Sequence, residues 1–199
     1  MNLPNKISLT RILMIPFFLA AFFLEGVLPY NYLIAAIIFA VAACTDFVDG
    51  YIARSRNLIT NIGKFLDTIA DKVLVATAMI VVLTMKDTLF TVFGAWANVG
   101  YIVTCVSICI ILAREFLVSA FRQIAAANGI VMAAEKLGKY KAACQDFALF
   151  FMIFAVDFTG TFSLVLAFIG FGLFAVATVL TVLSGVGYIV KNKQVLKED

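Results

Sequence analysis

Six long runs of apolar residues limit what this chain can fold into more than any other feature of its sequence. A helix of about 20 apolar residues crosses the hydrocarbon core of a bilayer. The chain is 64% hydrophobic and 14% charged, which is too apolar for a water-soluble domain of 199 residues. We therefore predict an all-α integral membrane protein with six transmembrane helices, at approximately residues 12–28, 32–51, 65–85, 99–121, 142–158 and 162–190.

Two shorter segments complete this predicted architecture. Residues 3–13 read as an N-terminal amphipathic helix on the cytoplasmic interface, leading into the first span. Residues 90–98 are apolar but separate, and they predict an interfacial or re-entrant piece before the fourth span. No linker rich in Pro, Gly or Ser divides the chain, so residues 1–199 are expected to form a single membrane domain.

The distribution of Lys and Arg predicts the orientation in the membrane, because cytoplasmic loops are enriched in these residues. With six spans both termini lie on one side, and nearly all the cations fall on that side. The opposite side has Lys86, together with Glu25, Asp87 and Asp157. We expect a multi-pass protein of the cell (inner or plasma) membrane with both termini in the cytoplasm.

Histidine is absent, and this excludes several kinds of active site. A Ser-His-Asp triad, an HExxH zinc site and haem ligation through histidine are all impossible. Any general base must be Asp, Glu, Lys, Tyr or Cys. A metal site made of carboxylates favours hard ions such as Mg²⁺ or Mn²⁺.

Two pairs of aspartates flank the short connection between the second and third predicted spans. Asp46 and Asp49 are three residues apart and share one helix face, and so do Asp67 and Asp71, which are four apart. Helices joined by a short connection are antiparallel, so the two pairs should face one another. Four carboxylates at the edge of lipid are costly unless protons or cations compensate them. Isolated helix-end carboxylates facing water are the simpler alternative, but two facing pairs favour a divalent-metal site.

Small and basic residues lie between the two pairs. Gly50, Ala53 and Gly63 allow the close approach of a backbone or a ligand. Arg54 and Lys64 place positive charge beside the carboxylates, which suits a phosphate or diphosphate. Metal ions held next to such cations provide what substitution at phosphorus needs, namely oxygen positioning and neutralisation of developing charge.

At these positions the chain resembles the CDP-alcohol phosphatidyltransferases, whose signature is D-x2-D-G-x2-A-R-x8-G-x3-D-x3-D. Every spacing of the signature is matched over 26 residues, by Asp46, Asp49, Gly50, Ala53, Arg54, Gly63, Asp67 and Asp71. The six-helix architecture of that family also agrees with the predicted spans, so the resemblance covers nearly the whole chain.

The resemblance implies a role for each of these residues. The four aspartates would hold two divalent ions, Mg²⁺ or Mn²⁺. Those ions would bind the CDP part of CDP-diacylglycerol together with Gly50, Ala53, Arg54 and Gly63. Asp71 would also be the general base that deprotonates an acceptor hydroxyl, whose oxygen then attacks the lipid-side phosphorus and releases CMP.

A second polar cluster lies in the fourth span and at the start of the fifth. Arg114 and Glu115 interrupt apolar sequence, where an ionisable residue indicates a functional site. Arg122, Lys139 and Lys141 add further positive charge on the same side of the membrane. These cations suit an acceptor that carries a phosphate, and Arg114, Arg122, Lys139 and Lys141 are the predicted acceptor-phosphate site. Membrane anchoring by the lysines and a structural pair between Arg114 and Glu115 are the alternatives.

This second cluster resembles the glycerol-phosphate branch of the family, the bacterial phosphatidylglycerophosphate synthases. The shared residues are Arg114-Glu115-Phe116, Arg122, Ala133-Ala134 and Gly138-Lys139-Tyr140-Lys141, with Asn2-Leu3-Pro4-Asn5, Thr10 and Arg11 near the start. The resemblance implies sn-glycerol 3-phosphate as the acceptor, phosphatidylglycerophosphate and CMP as the products, and a homodimer among membrane lipids. No nucleic-acid partner is expected.

Other functions remain open at this point. Within the family the acceptor could be inositol phosphate, serine or phosphatidylglycerol. A divalent-cation transporter would explain the aspartates, but it predicts polar residues across the whole bilayer, and the outer halves of these spans are apolar. An inactive scaffold on the same fold has no support, because the signature is intact.

Overall fold

The computed structural model describes the backbone of residues 3–55, 61–127 and 136–191, and the side chains of residues 8–45, 68–125, 137–188 and 190. Within that part of the chain the backbone forms six long α-helices and two short 3₁₀ segments. Each helix overlaps one of the six apolar runs, although α1 and α5 end before the predicted ends at residues 28 and 158. The helices are α1 (Leu3–Phe23), α2 (Asn31–Ser55), α3 (Asn61–Thr84), α4 (Ala97–Ala127), α5 (Lys136–Phe154) and α6 (Gly160–Lys191).

Two of these helices are long and apolar enough to cross a bilayer on length and composition alone. One is α4 with the segment before it (Leu89–Ala125, 37 residues), and the other is most of α6 (Gly160–Tyr188, 29 residues). Ser8–Phe23 and Asn31–Thr45 are shorter apolar helices. Large apolar side chains also cover outward-facing surfaces of several helices, including Phe17, Ile80, Val103, Phe168 and Val179. Such extensive apolar surface is typical of proteins in contact with lipid. The crossing of all six helices stays a prediction.

The predicted N-terminal amphipathic segment leads into the first apolar run without a break in the helix, and its place on the membrane interface stays a prediction. Residues 3–13 and the first part of the apolar run form one helix, α1, which contains Pro16 and ends at Phe23. Before α4, the predicted separate piece is a 3₁₀ segment, Leu89–Trp96. Gly94 bends this segment with φ +53°, a left-handed conformation that glycine adopts without steric cost.

The core of the bundle is made of aromatic and small side chains. Phe18 and Phe39 join α1 to α2 with ring centroids 6.0 Å apart, and Phe90 packs on Phe171 of α6 at 5.3 Å. At Gly170 an added Cβ would lie 2.9 Å from Met152 Cγ, so the glycine allows α5 and α6 to approach closely. Small residues at helix contacts serve the same purpose in membrane proteins generally.

Direct hydrogen bonds close one end of the bundle. The carboxylate of Asp157, after α5, accepts a hydrogen bond from the Leu33 N–H at the start of α2, with N and O 2.6 Å apart. Asn31 donates from Nδ2 to the carbonyl oxygen of Phe22, at 2.8 Å. A carboxylate at a helix N-terminus satisfies free N–H groups and is favoured by the helix dipole. These contacts hold the α1–α2 and α5–α6 turns together at the end of the bundle where α2 begins.

Candidate functional site

The aspartate signature lies on the facing ends of two consecutive helices. Asp46 and Asp49 belong to the last ten residues of α2, and Asp67 and Asp71 to the first eleven of α3. Residues 56–60 connect the two helices and lie outside the described backbone. Gly50, Ala53 and Arg54 also fall on α2, and Gly63 on α3. Asp71 is the member of the signature whose side chain is described.

Counting along the helix axes places the two pairs at similar depths. Asp49 is six residues from the end of α2 at Ser55, and Asp67 is six residues from the start of α3 at Asn61. At a rise of about 1.5 Å per residue, both lie about 9 Å from the connection. Asp46 and Asp71 lie one turn deeper. The helical backbone therefore places the two pairs at matching depths, and their facing one another stays a prediction.

This set of donors fits a divalent cation by its chemistry. Carboxylate oxygens are the ligands that Mg²⁺ and Mn²⁺ prefer in proteins. Among the residues whose side chains the structure describes there is no group of three or more potential metal ligands, and three of the four signature aspartates lie outside that set. Asp46, Asp49, Asp67 and Asp71 remain the predicted metal ligands.

Asp71 lines a cavity of about 70 Å³ that brings together polar side chains from three helices. Lys72 comes from α3, Glu115 from α4, and Lys141 with Gln145 from α5. Apolar side chains such as Met79 and Leu112 form the remaining wall. The structure therefore joins the first polar cluster of the sequence to the second.

Glu115 is the centre of the ion pairs in the second cluster. Its Oε1 accepts a hydrogen bond from Lys141 Nζ, and another from Arg114 at 3.0 Å. Lys141 is only 5% exposed, so its ammonium group depends on this partner. The alternative reading of the sequence, in which Arg114 forms a structural pair with Glu115, thus describes a contact that is present.

Arg114 also connects α4 to α6. A second guanidinium nitrogen donates to Ser184 Oγ at 3.0 Å, and Arg114 Nε has no partner among the described residues. The side chain lies directly over Gly185, where an added Cβ would come within 2.9 Å of Arg114 Cγ. Glycine is therefore needed for the arginine to pack in this position.

The two remaining predicted acceptor-site cations, Arg122 and Lys139, do not line the cavity that contains Asp71. Arg122 Nε donates to the hydroxyl of Tyr188 at 3.0 Å, and its guanidinium carbon lies 5.3 Å from the centroid of the same ring. Lys139 is exposed. Of the four predicted cations, Lys141 lines the cavity with Asp71, and Arg114 reaches it through Glu115.

Sequence reasoning missed three polar residues of the cavity, Lys72, Gln145 and Asp146. Lys72 follows Asp71 directly in an apolar helix, and its Nζ donates to Ser119 Oγ on α4. Gln145 is four residues after Lys141, so both lie on one face of α5. Charge or an amide in apolar sequence was the available signal in all three cases.

Arg11 supports the end of α2 from α1. Its side chain is fully buried, and its Nε lies 3.4 Å from Thr45 Oγ1. Thr45 precedes Asp46 and donates its hydroxyl to the Ala42 carbonyl oxygen at 2.6 Å. The arginine noted near the start of the chain therefore contacts the helix that carries the first aspartate pair.

Comparison with known proteins identifies a family and several relatives. The family model described as CDP-alcohol phosphatidyltransferase matches residues 1–183. A protein of Bacillus subtilis (strain 168) named CDP-diacylglycerol–glycerol-3-phosphate 3-phosphatidyltransferase is 38% identical, over 98% of this chain and 97% of its own. Proteins with the same name from Rickettsia felis and Shigella flexneri serotype 5b are 37% and 34% identical, each over 94% of this chain and 93% of their own.

We expect Gly185→Ala to destabilise the protein relative to Gly187→Ala. Both changes gain about 1 kcal/mol of helix propensity, but only the first adds a methyl group against Arg114, since nothing lies within 4 Å of a Cβ at Gly187. Overpacking of this kind costs about 1–3 kcal/mol. The check is thermal unfolding of the purified variants in detergent. Equal melting temperatures would show that Arg114 moves aside freely.

Proposed function

The chain belongs to the CDP-alcohol phosphatidyltransferase family, and we propose that it transfers a phosphatidyl group from CDP-diacylglycerol to sn-glycerol 3-phosphate. The products are phosphatidylglycerophosphate and CMP. Relatives with this activity in their names match the chain over nearly its whole length. The structural observation that carries the proposal is the cavity in which Asp71, from the aspartate signature, meets Lys141, from the basic cluster.

The aspartates would hold two divalent ions, Mg²⁺ or Mn²⁺. Asp46 and Asp49 on α2 and Asp67 and Asp71 on α3 supply only carboxylate oxygens for this purpose. When bound, such ions neutralise charge on the diphosphate and on the departing phosphate. Gly50, Ala53, Arg54 and Gly63 lie among the ligands in sequence and would bind the CDP part of the lipid.

Asp71 is proposed as the general base. It would accept the proton of the acceptor hydroxyl as that oxygen forms a bond to the lipid-side phosphorus of CDP-diacylglycerol. The bond between that phosphorus and the bridging oxygen breaks, and the electron pair leaves with CMP. Asp71 suits this step because it lines the cavity that the acceptor would enter.

The acceptor phosphate is proposed to bind the cations of α4 and α5. Lys141 lines the cavity, and Arg114 shares Glu115 with it. Arg122 and Lys139 lie toward the ends of their helices and would act at the entrance. In the protein without substrate, Glu115 supplies the negative charge that a bound phosphate would otherwise provide.

We further propose that all six helices span the cell membrane and that the site faces the cytoplasm. The Lys/Arg bias supports this orientation, since the end of the bundle around Asp157 and Leu33 carries few cations. The helices carrying Asp71, Glu115 and Lys141 bring these residues to one region, where water-soluble glycerol phosphate and CMP could enter and leave. A homodimer remains the expected assembly.

The experiment that tests the function is an acceptor screen with labelled CDP-diacylglycerol and the purified full-length protein. sn-Glycerol 3-phosphate should be consumed with one CMP released per lipid. Inositol phosphate, serine and phosphatidylglycerol should be poor acceptors. A chelator should abolish turnover and added Mg²⁺ or Mn²⁺ should restore it. Faster use of any other acceptor, or turnover that persists in chelator, would contradict the proposal.

Asp71→Asn should lower kcat far more than it changes the apparent KM for CDP-diacylglycerol. A positioned general base contributes about 10²–10⁴-fold to rate. Asp87→Asn is the matched control, because Asp87 is an exposed aspartate beyond the other end of α3. Steady-state kinetics with each substrate varied separately gives the answer. A loss confined to lipid affinity would leave Asp71 as a ligand and place the base elsewhere.

Replacing the acceptor-site cations by Ala should raise the KM for sn-glycerol 3-phosphate and leave that for CDP-diacylglycerol nearly unchanged. A charge-assisted hydrogen bond is worth about 1.5–3 kcal/mol, so each loss should cost about 10- to 100-fold. The effect should be largest for Lys141 and Arg114, and smaller for Arg122 and Lys139. Lys86→Ala, at the other end of the bundle, is the control. Unchanged acceptor kinetics in all four variants would identify them as anchoring residues.

A further inference from the structure

Gln145 is a buried residue whose side-chain carbonyl oxygen has no hydrogen-bond donor among the described residues. The residue is 4% exposed, and its Oε1 accepts no hydrogen bond from any residue that the structure describes. It lines the same cavity as Asp71 and Lys141. A buried carbonyl oxygen without a donor is unfavourable, and in native proteins such an atom almost always has a partner. A molecule that occupies the cavity lined by Gln145 can supply the donor that the described residues do not.

The chemistry of the carbonyl restricts that partner. Oε1 of a glutamine only accepts hydrogen bonds, so it needs an O–H or N–H group and gains nothing from an ionised phosphate oxygen. The neighbouring cation, Lys141, already donates to Glu115. A cavity of about 70 Å³ has room for water when no substrate is bound. A hydroxyl of the substrate can displace that water and make the same bond.

We propose that Gln145 Oε1 accepts a hydrogen bond from the C2 hydroxyl of sn-glycerol 3-phosphate and so determines acceptor specificity. This inference rests on the proposed function. The acceptor has three polar parts, and the cavity has a group suited to each. The phosphate pairs with Lys141, the terminal hydroxyl loses its proton to Asp71, and the remaining hydroxyl requires an acceptor atom. Lys141 and Gln145 are one helical turn apart on α5, so a single small molecule can reach both.

The consequence is discrimination against acceptors that lack the C2 hydroxyl. A site that hydrogen-bonds a substrate hydroxyl rejects the analogue without it, because the buried protein group is then left unpaired. 3-Hydroxypropyl phosphate keeps the phosphate and the terminal hydroxyl, and lacks only this group. Wild-type kcat/KM should be about 10- to 100-fold higher for sn-glycerol 3-phosphate than for this analogue.

The test compares this ratio in three variants of the full-length protein. Gln145→Met keeps the length of the side chain without an oxygen, and it should bring the ratio to within about 3-fold of unity. The loss should fall on sn-glycerol 3-phosphate, with no change in the KM for CDP-diacylglycerol. Gln145→Glu keeps an acceptor oxygen and should retain the preference. Gln123→Met, at an exposed glutamine of α4, should behave as wild type.

A second test uses acceptor analogues with the wild-type protein, so its result does not depend on whether a variant folds. The 2-fluoro analogue of the acceptor has an atom at C2 that cannot donate, so it should be as poor a substrate as 3-hydroxypropyl phosphate. Equal use of all three compounds, or an unchanged preference in Gln145→Met, overturns the inference while leaving the proposed function intact. Failure of the wild-type protein to use sn-glycerol 3-phosphate would instead overturn the proposed function and this inference with it.

Discussion

The packing of the helix bundle depends on ion pairs that lie among apolar side chains. Glu115 lies between Lys141 from α5 and Arg114 from its own helix, and Arg114 continues to Ser184 on α6. A lone charge buried in such surroundings costs several kcal/mol, and a partner with good geometry offsets much of that cost. Because Glu115 accepts from both cations, one carboxylate joins three helices at the level of the cavity. The polar residues of this region therefore join neighbouring helices and also line or border the cavity.

The two ends of the bundle differ in how their polar groups are satisfied. At one end the partners are internal, since Asp157 accepts from Leu33 and Asn31 donates to Phe22. At the other end Gln145 faces a cavity, and its carbonyl oxygen has no donor within the described chain. Polar groups that the chain satisfies by itself stabilise the fold. A buried group that the described chain leaves without a partner is available to a ligand, and this difference between the two ends supports the proposed position of the substrate site.

The helices could be predicted from the sequence because a run of about 20 apolar residues has few alternatives in lipid. The positions of the cations in the folded protein could not be predicted from the sequence. Lys139 and Lys141 are only two residues apart, but two residues turn a helix through about 200°, so one is exposed and the other buried. Arg122 donates a hydrogen bond to Tyr188, which is 66 residues later in the sequence. Which cations face Asp71 depends on how α3, α4 and α5 pack, and this is set by contacts between distant residues that no local pattern contains.

Asp71 belongs to both polar clusters. It ends the aspartate signature on α3, and it lines the cavity formed with α4 and α5. Displacement at phosphorus requires the attacking oxygen to lie opposite the leaving group, so the two substrates must approach from different sides of the reacting centre. The residues proposed for CDP lie on α2, whereas Lys141 and Gln145 lie on α5, so the two substrates would bind residues of different helices. Asp71 ends the signature and also lines the cavity, so under the proposed mechanism it would contact both the acceptor hydroxyl and the metal-binding region, and one aspartate would act as a ligand and as a base.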